Sequence, residues 1–295
     1  MSSGGAERVT ATLSNYWAKK GWQVTIVTVT SSESDFYALD KAIERIALGL
    51  DRGSASMLAG LLNNARRVYA LRRVLRQVEP DVAISMMSTA NCLLALAGSD
   101  LPLRTVGSER IYPPAMPLGL VWDGIRRWCY SRLDVLVAQT AQSADWLRAN
   151  APARAVEVIP NSVTFPMENH ESTIQPYMIN QSMPNTKYVL LSVGRLEEQK
   201  GFDNLLDVFA SLASRHPNWQ LVILGEGKLR GALEEKITTL QLTESVYLPG
   251  AISNVGDWYD AADAYVLTSL YEGFPNTLLE ALAHGLPAVA VDCDT

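Results

Sequence analysis

The chain has 295 residues, of which 48% are hydrophobic and 19% are charged, with a formal net charge of −6. This length suffices for two domains, and the composition excludes disordered and fibrous proteins. The sequence contains no run of about eighteen apolar residues that could span a bilayer, and its polar N-terminus lacks the pattern of a signal peptide.

The charge is unevenly distributed along the chain. Residues 1–165 contain 18 Lys and Arg against 14 Asp and Glu, whereas residues 166–295 contain 7 against 17. The basic half could meet anionic lipid or a diphosphate, although a difference of this size also arises without function. The three cysteines lie far apart and match no metal-binding spacing, so we expect reduced, mostly buried thiols of a cytosolic protein: Cys92, Cys129 and Cys293.

The first half of the chain alternates between helical periodicity and short apolar runs. A helix is predicted for about residues 5–20, directly after a Gly-rich turn, and a basic helix for about residues 57–78. Five runs predict strands, which we expect to form one sheet: 22–29, 81–87, 104–108, 134–140 and 156–160.

The second half repeats this alternation. Strands are predicted at 188–194, 219–225, 245–250, 263–269 and 287–292. Strands separated by helices imply two Rossmann-like, doubly wound parallel α/β domains, which we assign to residues 1–165 and 187–295. The polar, aperiodic segment 166–186 is interpreted as the linker. The first domain lacks an opening strand and the second stops after a strand, so we expect a chain truncated at both ends.

The basic helix at 57–78 has two possible interpretations. Its apolar stripe is predicted to consist of Leu61, Ala65, Val68, Leu71, Leu75 and Val78. Arg66, Arg73 and Arg76 fall on the other side of the helix, within about 80° of one another. They could form the solvated outer face of a packed helix, or they could hold anionic lipid or a polyprenyl diphosphate.

Two cations follow the strand at 188–194. Arg195 and Lys200 lie between that strand and the next predicted helix, where a diphosphate commonly binds in parallel α/β sheets. The alternative is that both side chains pair with Glu197 and Glu198 at the surface.

Two glycine-rich stretches could let a ligand approach the backbone. Gly225, Gly227 and Gly231 follow a strand, but their spacing is one residue longer than a dinucleotide fingerprint and no suitable acid follows, so an NAD site is not expected. Gly4 and Gly5 precede the first helix, and two adjacent glycines are by themselves a weak indication.

The stretch "YEGFPNTLLEALAHGLPAVAVDCDT" places two acids around a predicted helix start. Pro275 suits the first turn, Asn276 or Thr277 could cap it, and the N–H groups of residues 276–278 would then be free to bind an anion. Glu272 and Glu280 would accept hydrogen bonds from ligand hydroxyls, or they would only complement the helix dipole. Asp292 and Asp294 have the spacing of a metal-binding acid pair but are interpreted as a loop, with no metal and no other cofactor expected.

Several segments together resemble family 4 retaining glycosyltransferases. They are "GGAERVTATLSNYWAKKGWQVTIVT", "VIPNSV", "SVGRLEEQKGFDNLLDVFASL", "LVILGEGKLRGALEEKI" and "YEGFPNTLLEALAHGLPAVAVD", in this order. The resemblance implies the GT-B fold of two Rossmann-like domains. It also implies transfer of a sugar from a nucleotide donor with retained anomeric configuration and without metal.

The resemblance also implies roles for individual residues. Arg195 and Lys200 would hold the donor diphosphate, Glu272 the sugar hydroxyls and Glu280 the ribose. The remaining donor-binding residues would be those that line the cleft or offer N–H groups: Gly4, Gly5, Gly225, Gly227, Phe274, Asn276, Thr277 and Leu278.

One departure from the family concerns the loop after the strand "RTVGS". Many members have a His there, whereas this chain has Ser108, Glu109 and Arg110, which is similar to the subgroup that builds polyprenyl-diphosphate-linked glycans. We therefore assign Glu109, Arg110 and the three arginines of the basic helix to the acceptor or membrane side.

The resulting expectation is an enzyme on the inner face of the cytoplasmic membrane. It would move a hexose or N-acetylhexosamine from a UDP sugar to a lipid-linked or polysaccharide acceptor, with peripheral contact to anionic membrane and no nucleic acid partner. The alternatives are a nucleotide-sugar epimerase of the same fold and a truncated, inactive sugar-nucleotide binder.

Overall fold

The computed structural model describes residues 5–30, 37–51, 57–115, 119–151, 153–167, 176 and 188–293. The chain divides into two compact units, Met1–Asn161 (unit 1) and Ser162–Thr295 (unit 2). Only residues 166, 167 and 176 of the predicted linker 166–186 are described, so that linker stays a prediction.

Unit 1 alternates helices and strands. Its elements are α1 (Gly5–Lys19), β1 (Thr25–Thr28), β2 (Glu44–Ala47), α2 (Met57–Val78), β3 (Val82–Met86), α3 (Ser88–Ala97), β4 (Arg104–Ser108), a 3₁₀ turn (Pro113–Ala115), α4 (Leu120–Tyr130), β5 (Val135–Ala138), α5 (Ala141–Asn150) and β6 (Ala155–Val158).

The prediction of a single sheet in this half was wrong. β3, β4, β5 and β6 form a parallel sheet in that order, whereas β1 pairs with β2 in a separate two-stranded parallel sheet. The sequence of β2, "ERIA", is short and half charged, so no apolar run predicted it. β1 buries Ile26 beside Ala11 of α1 and Ile43, in a small core of its own.

The larger core of unit 1 lies between its four-stranded sheet and its helices. Leu133, Leu136 and Leu147 are fully buried there. The predicted apolar stripe of α2 is buried only in its C-terminal half. Leu61 is 60% exposed and Ala65 is exposed, because the contacts of α2 with this core begin at Val68.

Unit 2 is a parallel sheet with helices on both faces. Its elements are β7 (Tyr188–Val193), a 3₁₀ turn (Glu198–Lys200), α6 (Phe202–Ala213), β8 (Trp219–Leu224), α7 (Arg230–Thr239), β9 (Val246–Gly250), α8 (Val255–Ala261), β10 (Ala264–Leu267), α9 (Asn276–Ala283) and β11 (Ala288–Ala290).

The strand order of unit 2 is β11-β10-β7-β8-β9, with every neighbouring pair parallel. The chain passes from β7 outward to β9 and then returns to the other side of β7 with β10. The topological switch point therefore lies between β7 and β10, and ligands bind at the carboxyl ends of strands at such points. All ten predicted strands are present in the two units, and the two-domain parallel α/β class is confirmed.

Candidate active site

The loops that follow β7 and β10 meet at the switch point of unit 2. Arg195 and Lys200 lie in the loop after β7, and Glu272 lies in the loop after β10. Sequence analysis named these residues but did not predict which of them touch, because 72 residues separate Lys200 from Glu272.

Lys200 and Glu272 form an ion pair. Lys200 Nζ lies 2.5 Å from Glu272 Oε1, and the two side chains are only 15% and 8% exposed. Ser269 Oγ donates a second hydrogen bond to the same Oε1 at 2.6 Å. Glu272 Oε2 accepts no hydrogen bond within the described part of the chain. The pair therefore fixes the carboxylate and leaves one oxygen for a ligand.

The two loops are also joined through their backbones. Leu270 N–H donates to Gln199 O at 2.8 Å, Gln199 Nε2 donates to Tyr271 O at 3.0 Å, and Thr268 Oγ1 donates to Lys200 O at 2.9 Å. Gly201 has φ +63°, and a Cβ there would overlap the Thr268 carbonyl oxygen. Only glycine permits this conformation and this close approach without strain.

The surface pairing considered for the two cations is wrong for Lys200 and only partly describes Arg195. Arg195 Nη1 lies 3.5 Å from Glu197 Oε2, and the side chain of Arg195 is 60% exposed. The stem of Lys200 lies against Gly194, where a Cβ would come within about 3.1 Å of it, and this path directs the ammonium towards Glu272. Arg195 is thus the exposed cation of the pair.

Gly225 and Gly227 have a structural role in the loop after β8. A Cβ at Gly225 would overlap the Gly194 carbonyl oxygen, and one at Gly227 would overlap the Leu196 carbonyl oxygen. Leu196 N–H donates to Glu226 O at 3.0 Å across this contact. These glycines therefore let the loop pack against the one that carries Arg195, and their contact with a donor stays a prediction.

The start of α9 differs from the prediction. The helix begins at Asn276 with Pro275 as its cap residue and no side-chain capping bond, so capping by Asn276 or Thr277 was wrong. Asn276 N–H donates to Phe274 O at 2.9 Å and Leu278 N–H donates to Pro275 O at 3.1 Å, so these two amides are not free. The sequence could not show this, because the acceptors belong to the turn that Pro275 forms. Among the described residues, the Thr277 amide has no such partner.

Two buried tyrosines contact polar side chains in the first turns of α9. Tyr259 Oη lies 3.1 Å from Glu280 Oε2, and Glu280 is only 5% exposed. Tyr265 Oη donates to Thr277 Oγ1 at 2.7 Å. Burial raises the pKa of Tyr265, and the charges of Glu280 and Glu272 raise it further, so this phenol stays a donor. Sequence analysis missed both tyrosines, which lie in apolar segments and gave no separate signal.

Glu109, which sequence analysis assigned to the acceptor or membrane side, is buried in unit 1. It is 3% exposed, and it accepts hydrogen bonds from Ser88 Oγ at 2.8 Å, from Asn91 Nδ2 at 3.3 Å and from Tyr130 Oη. Burial raises the pKa of Glu109, although these bonds and the charge of Arg126 oppose the rise. The side chain is thus held inside unit 1 by its own partners.

The face of α2 that carries the predicted arginines is exposed. Arg66, Arg73 and Arg76 are all exposed, as both interpretations of this helix require. Two large apolar residues that sequence analysis did not place on this face share it: Leu62 (62% exposed) and Tyr69 (74%).

The remaining candidates are distributed between the two units. Gly5 is the first residue of α1 and is exposed, and Gly4 lies outside the described residues. Asp292 is exposed, and Asp294 also lies outside. Within the described ranges, no three His, Cys, Asp or Glu side chains are grouped to hold a metal. No helix in those ranges has the length and apolar character needed to cross a membrane.

Comparison with known proteins identifies both units. Residues 3–164 match the family model "Glycosyltransferase Family 4", and residues 175–295 match "Glycosyl transferases group 1". The amylovoran biosynthesis glycosyltransferase AmsD of Erwinia amylovora is 26% identical over 100% of this chain and 79% of its own length.

A second relative comes from Campylobacter jejuni. It is GalNAc-α-(1→4)-GalNAc-α-(1→3)-diNAcBac-PP-undecaprenol α-1,4-N-acetyl-D-galactosaminyltransferase, which is 28% identical over 96% of this chain and 74% of its own length. The chain spans 60 to 79% of the length of such curated relatives.

A solved structure of Anabaena Alr3699/HepE in complex with UDP has a TM-score of 0.71 at 18% identity, covering 99% of this chain and 79% of that one. This likeness confirms the predicted GT-B fold. The first family model matches more than half of the chain. The chain therefore belongs to glycosyltransferase family 4 and is a transferase enzyme.

Proposed function

We propose that the chain transfers a hexose or N-acetylhexosamine from a UDP sugar to a lipid-linked or polysaccharide glycan, with retention of the anomeric configuration. The observation that carries this proposal is the mostly buried Lys200–Glu272 pair at the switch point of unit 2, next to the start of α9 and the exposed Arg195.

The charges around this site suit a ligand that carries both hydroxyls and phosphates. The two cations, Arg195 and Lys200, are balanced by the buried carboxylates of Glu272 and Glu280. A site for bare phosphate would carry an excess of positive charge. Carboxylates instead accept hydrogen bonds from hydroxyls, and a nucleotide sugar has hydroxyls on both sides of its diphosphate.

Each residue then has a distinct task. Glu272 Oε2 accepts a hydrogen bond from a hydroxyl of the donor sugar, while Lys200 and Ser269 hold Oε1 in place. Arg195 and the Thr277 amide receive the diphosphate and stabilise the charge that develops on the leaving group. Glu280 accepts a hydrogen bond from the ribose. We expect no metal requirement, because these groups supply the positive charge.

The relatives support the proposed donor and acceptor. HepE was solved with UDP, AmsD takes part in amylovoran biosynthesis, and the Campylobacter enzyme is named for an undecaprenyl-diphosphate-linked glycan. The exposed face of α2 supports peripheral contact with anionic lipid at the inner face of the cytoplasmic membrane. It combines three arginines with Leu62 and Tyr69. No nucleic acid partner is proposed.

Transfer from a panel of nucleotide sugars to a short lipid-linked glycan tests the proposal. Glu272→Gln should lower the transfer rate by about 100-fold or more, because the amide cannot replace the carboxylate that holds both Lys200 and the sugar. Glu198→Gln is the matched control, since this glutamate is 81% exposed in the neighbouring turn and should change the rate little.

Equal rates for Glu272→Gln and the wild type would contradict the site. Two other results would favour the alternatives. Conversion of one nucleotide sugar into another without acceptor would indicate an epimerase, and UDP binding without any turnover would indicate an inactive binder. EDTA should leave the rate unchanged, and a strict Mn²⁺ requirement would contradict the metal-independent proposal.

A further inference from the structure

A second polar cluster lies in unit 1, at the carboxyl ends of its four-stranded sheet. Met86 ends β3, Arg110 follows β4 by two residues, Gln139 directly follows β5, and Asn161 follows β6. Because these parallel strands are neighbours, their carboxyl ends share one edge, which is the edge where ligands bind in open α/β sheets.

Arg110 is the charged member of this cluster, and its hydrogen-bond donors are poorly satisfied. Its Nη1 donates to Asn161 Oδ1, whereas Nε and Nη2 face only the thioether sulfur of Met86, at 3.2 and 3.1 Å. A thioether is a weak acceptor, so one edge of the guanidinium lacks a strong partner. Burial lowers the pKa of Arg110 to about 10, so the group remains charged at neutral pH.

The neighbouring acid does not compensate this charge. Glu109 faces Ser88, Asn91 and Tyr130, and the cation that acts on it is Arg126. Among the described residues, no carboxylate forms an ion pair with Arg110. A half-buried guanidinium that has no acid partner gains a charge-assisted hydrogen bond when an anion binds it.

The other members of the cluster hold Arg110 in place. With its amide oriented so that both ends are satisfied, Gln139 donates from Nε2 to the Arg110 carbonyl oxygen at 3.2 Å and accepts from Asn161 Nδ2 at 2.7 Å. Gln139 is only 4% exposed. The Nε and Nη2 edge of the guanidinium is therefore positioned by the buried Gln139 and the half-buried Asn161.

We infer that the Nε and Nη2 edge of Arg110 binds two oxygens of a phosphate group on the acceptor, which makes the acceptor a phosphate-bearing, lipid-linked glycan. A guanidinium edge fits two phosphate oxygens, and only the weak contact with Met86 would be displaced. The inference rests on the proposed function, because it identifies the acceptor of that reaction. The donor phosphates are the other possible source of the same chemistry, and they are assigned to Arg195 and the start of α9 in unit 2.

Binding of geranyl diphosphate to the full chain tests the inference without turnover. Arg110→Gln should weaken the affinity by about 10-fold or more, because a charge-assisted bidentate contact is lost. The affinity of Arg110→Lys should lie between those of the wild type and Arg110→Gln, since lysine restores a point charge without the planar edge. Arg154→Gln is the matched control: it removes one positive charge from an exposed position beside Asp134, at the opposite edge of the sheet, and should bind as the wild type does.

Two further ligands separate the possible sources. Geraniol, which lacks the diphosphate, and UDP should bind Arg110→Gln and the wild type equally. If Arg110→Gln weakened geraniol binding as much as geranyl diphosphate binding, the substitution would have disturbed the site of the lipid chain and not a phosphate contact. If it weakened UDP binding as much, Arg110 would be assigned to the donor. Either result would overturn the inference, as would unchanged geranyl diphosphate affinity or no binding by the wild type. Failure of sugar transfer would contradict the proposed function and would not alter these affinities.

Discussion

At the scale of single residues, the Lys200–Glu272 pair decides what the site can hold. Two side chains that are 15% and 8% exposed have lost most of their hydration, and each is stable only because the other is present. Ser269 adds a bond to the same carboxylate oxygen, so Glu272 cannot rotate freely. A ligand therefore meets a fixed acceptor, and the binding step costs little ordering of side chains.

The conformation of the loop that carries Lys200 depends on the backbone of Gly201. Gly201→Ala should lower the free energy of unfolding by at least about 1 kcal/mol, because alanine at φ +63° is strained and its Cβ would overlap the Thr268 carbonyl. Gly231→Ala, in α7 with open space around it, should raise stability by up to about 1 kcal/mol. Urea unfolding of both variants measures the difference, and equal midpoints would contradict the account of the loop.

Glu109 gives a prediction about pH. Burial raises its pKa above the ordinary value of 4.5, so over the pH range just above 4.5 the folded chain holds a proton that the unfolded chain has released. The free energy of unfolding contributed by this group must then fall as pH rises. The side chain introduced by Glu109→Gln is neutral at every pH, so the stability of this variant relative to the wild type should increase as the pH rises above about 4.5.

Chemical unfolding at several pH values measures this trend. Glu157→Gln, an exposed substitution on β6, serves as the control for a general change in charge. Parallel pH profiles for the wild type and Glu109→Gln would show that burial does not favour the protonated carboxyl.

At the scale of elements, α2 is the helix with the clearest surface role. Its exposed face carries three arginines and two large apolar side chains, Leu62 and Tyr69, which is the combination found in helices that lie on anionic membranes. Replacing Arg66, Arg73 and Arg76 with Gln should weaken binding to phosphatidylglycerol vesicles on the order of 100-fold, at about 1 kcal/mol per cation.

The control for α2 removes the same charge elsewhere in unit 1. Arg132, Arg148 and Arg154 are exposed and lie outside α2, so their triple replacement with Gln should reduce vesicle binding much less. Co-sedimentation with vesicles measures both variants. Equal losses would show that net charge governs binding, and no loss in either would make the face of α2 a solvated surface.

The elements also show what the sequence could predict. Every predicted strand is present because apolar β-rich runs report burial directly. β2 was missed because "ERIA" contains no such run, and the pairing of β1 with β2 was missed because strand partners are set by the fold as a whole. For the same reason, the motifs identified Lys200 and Glu272 separately, while their contact depends on β7 and β10 being neighbours.

At the scale of the whole molecule, charge is divided between the two halves. Residues 166–295 contain 7 Lys and Arg against 17 Asp and Glu, although this half carries the proposed site for a diphosphate. A net negative half does not attract a negatively charged diphosphate over long distance. Electrostatic interactions between exposed charges are also screened beyond about 8 Å at physiological salt. Donor binding must therefore depend on local contacts. The exposed Arg195 is the cation that we expect to supply such a contact to the diphosphate.

Calorimetric titration of UDP into the full chain tests this central claim most directly. The wild type should bind UDP, and Arg195→Gln should weaken that affinity by about 10-fold or more, because a charge-assisted hydrogen bond to the diphosphate is lost. Arg215→Gln, an exposed change of the same charge just beyond the C-terminus of α6, should leave the affinity unchanged. Equal affinity of Arg195→Gln and the wild type, or no UDP binding by the wild type, would contradict the account.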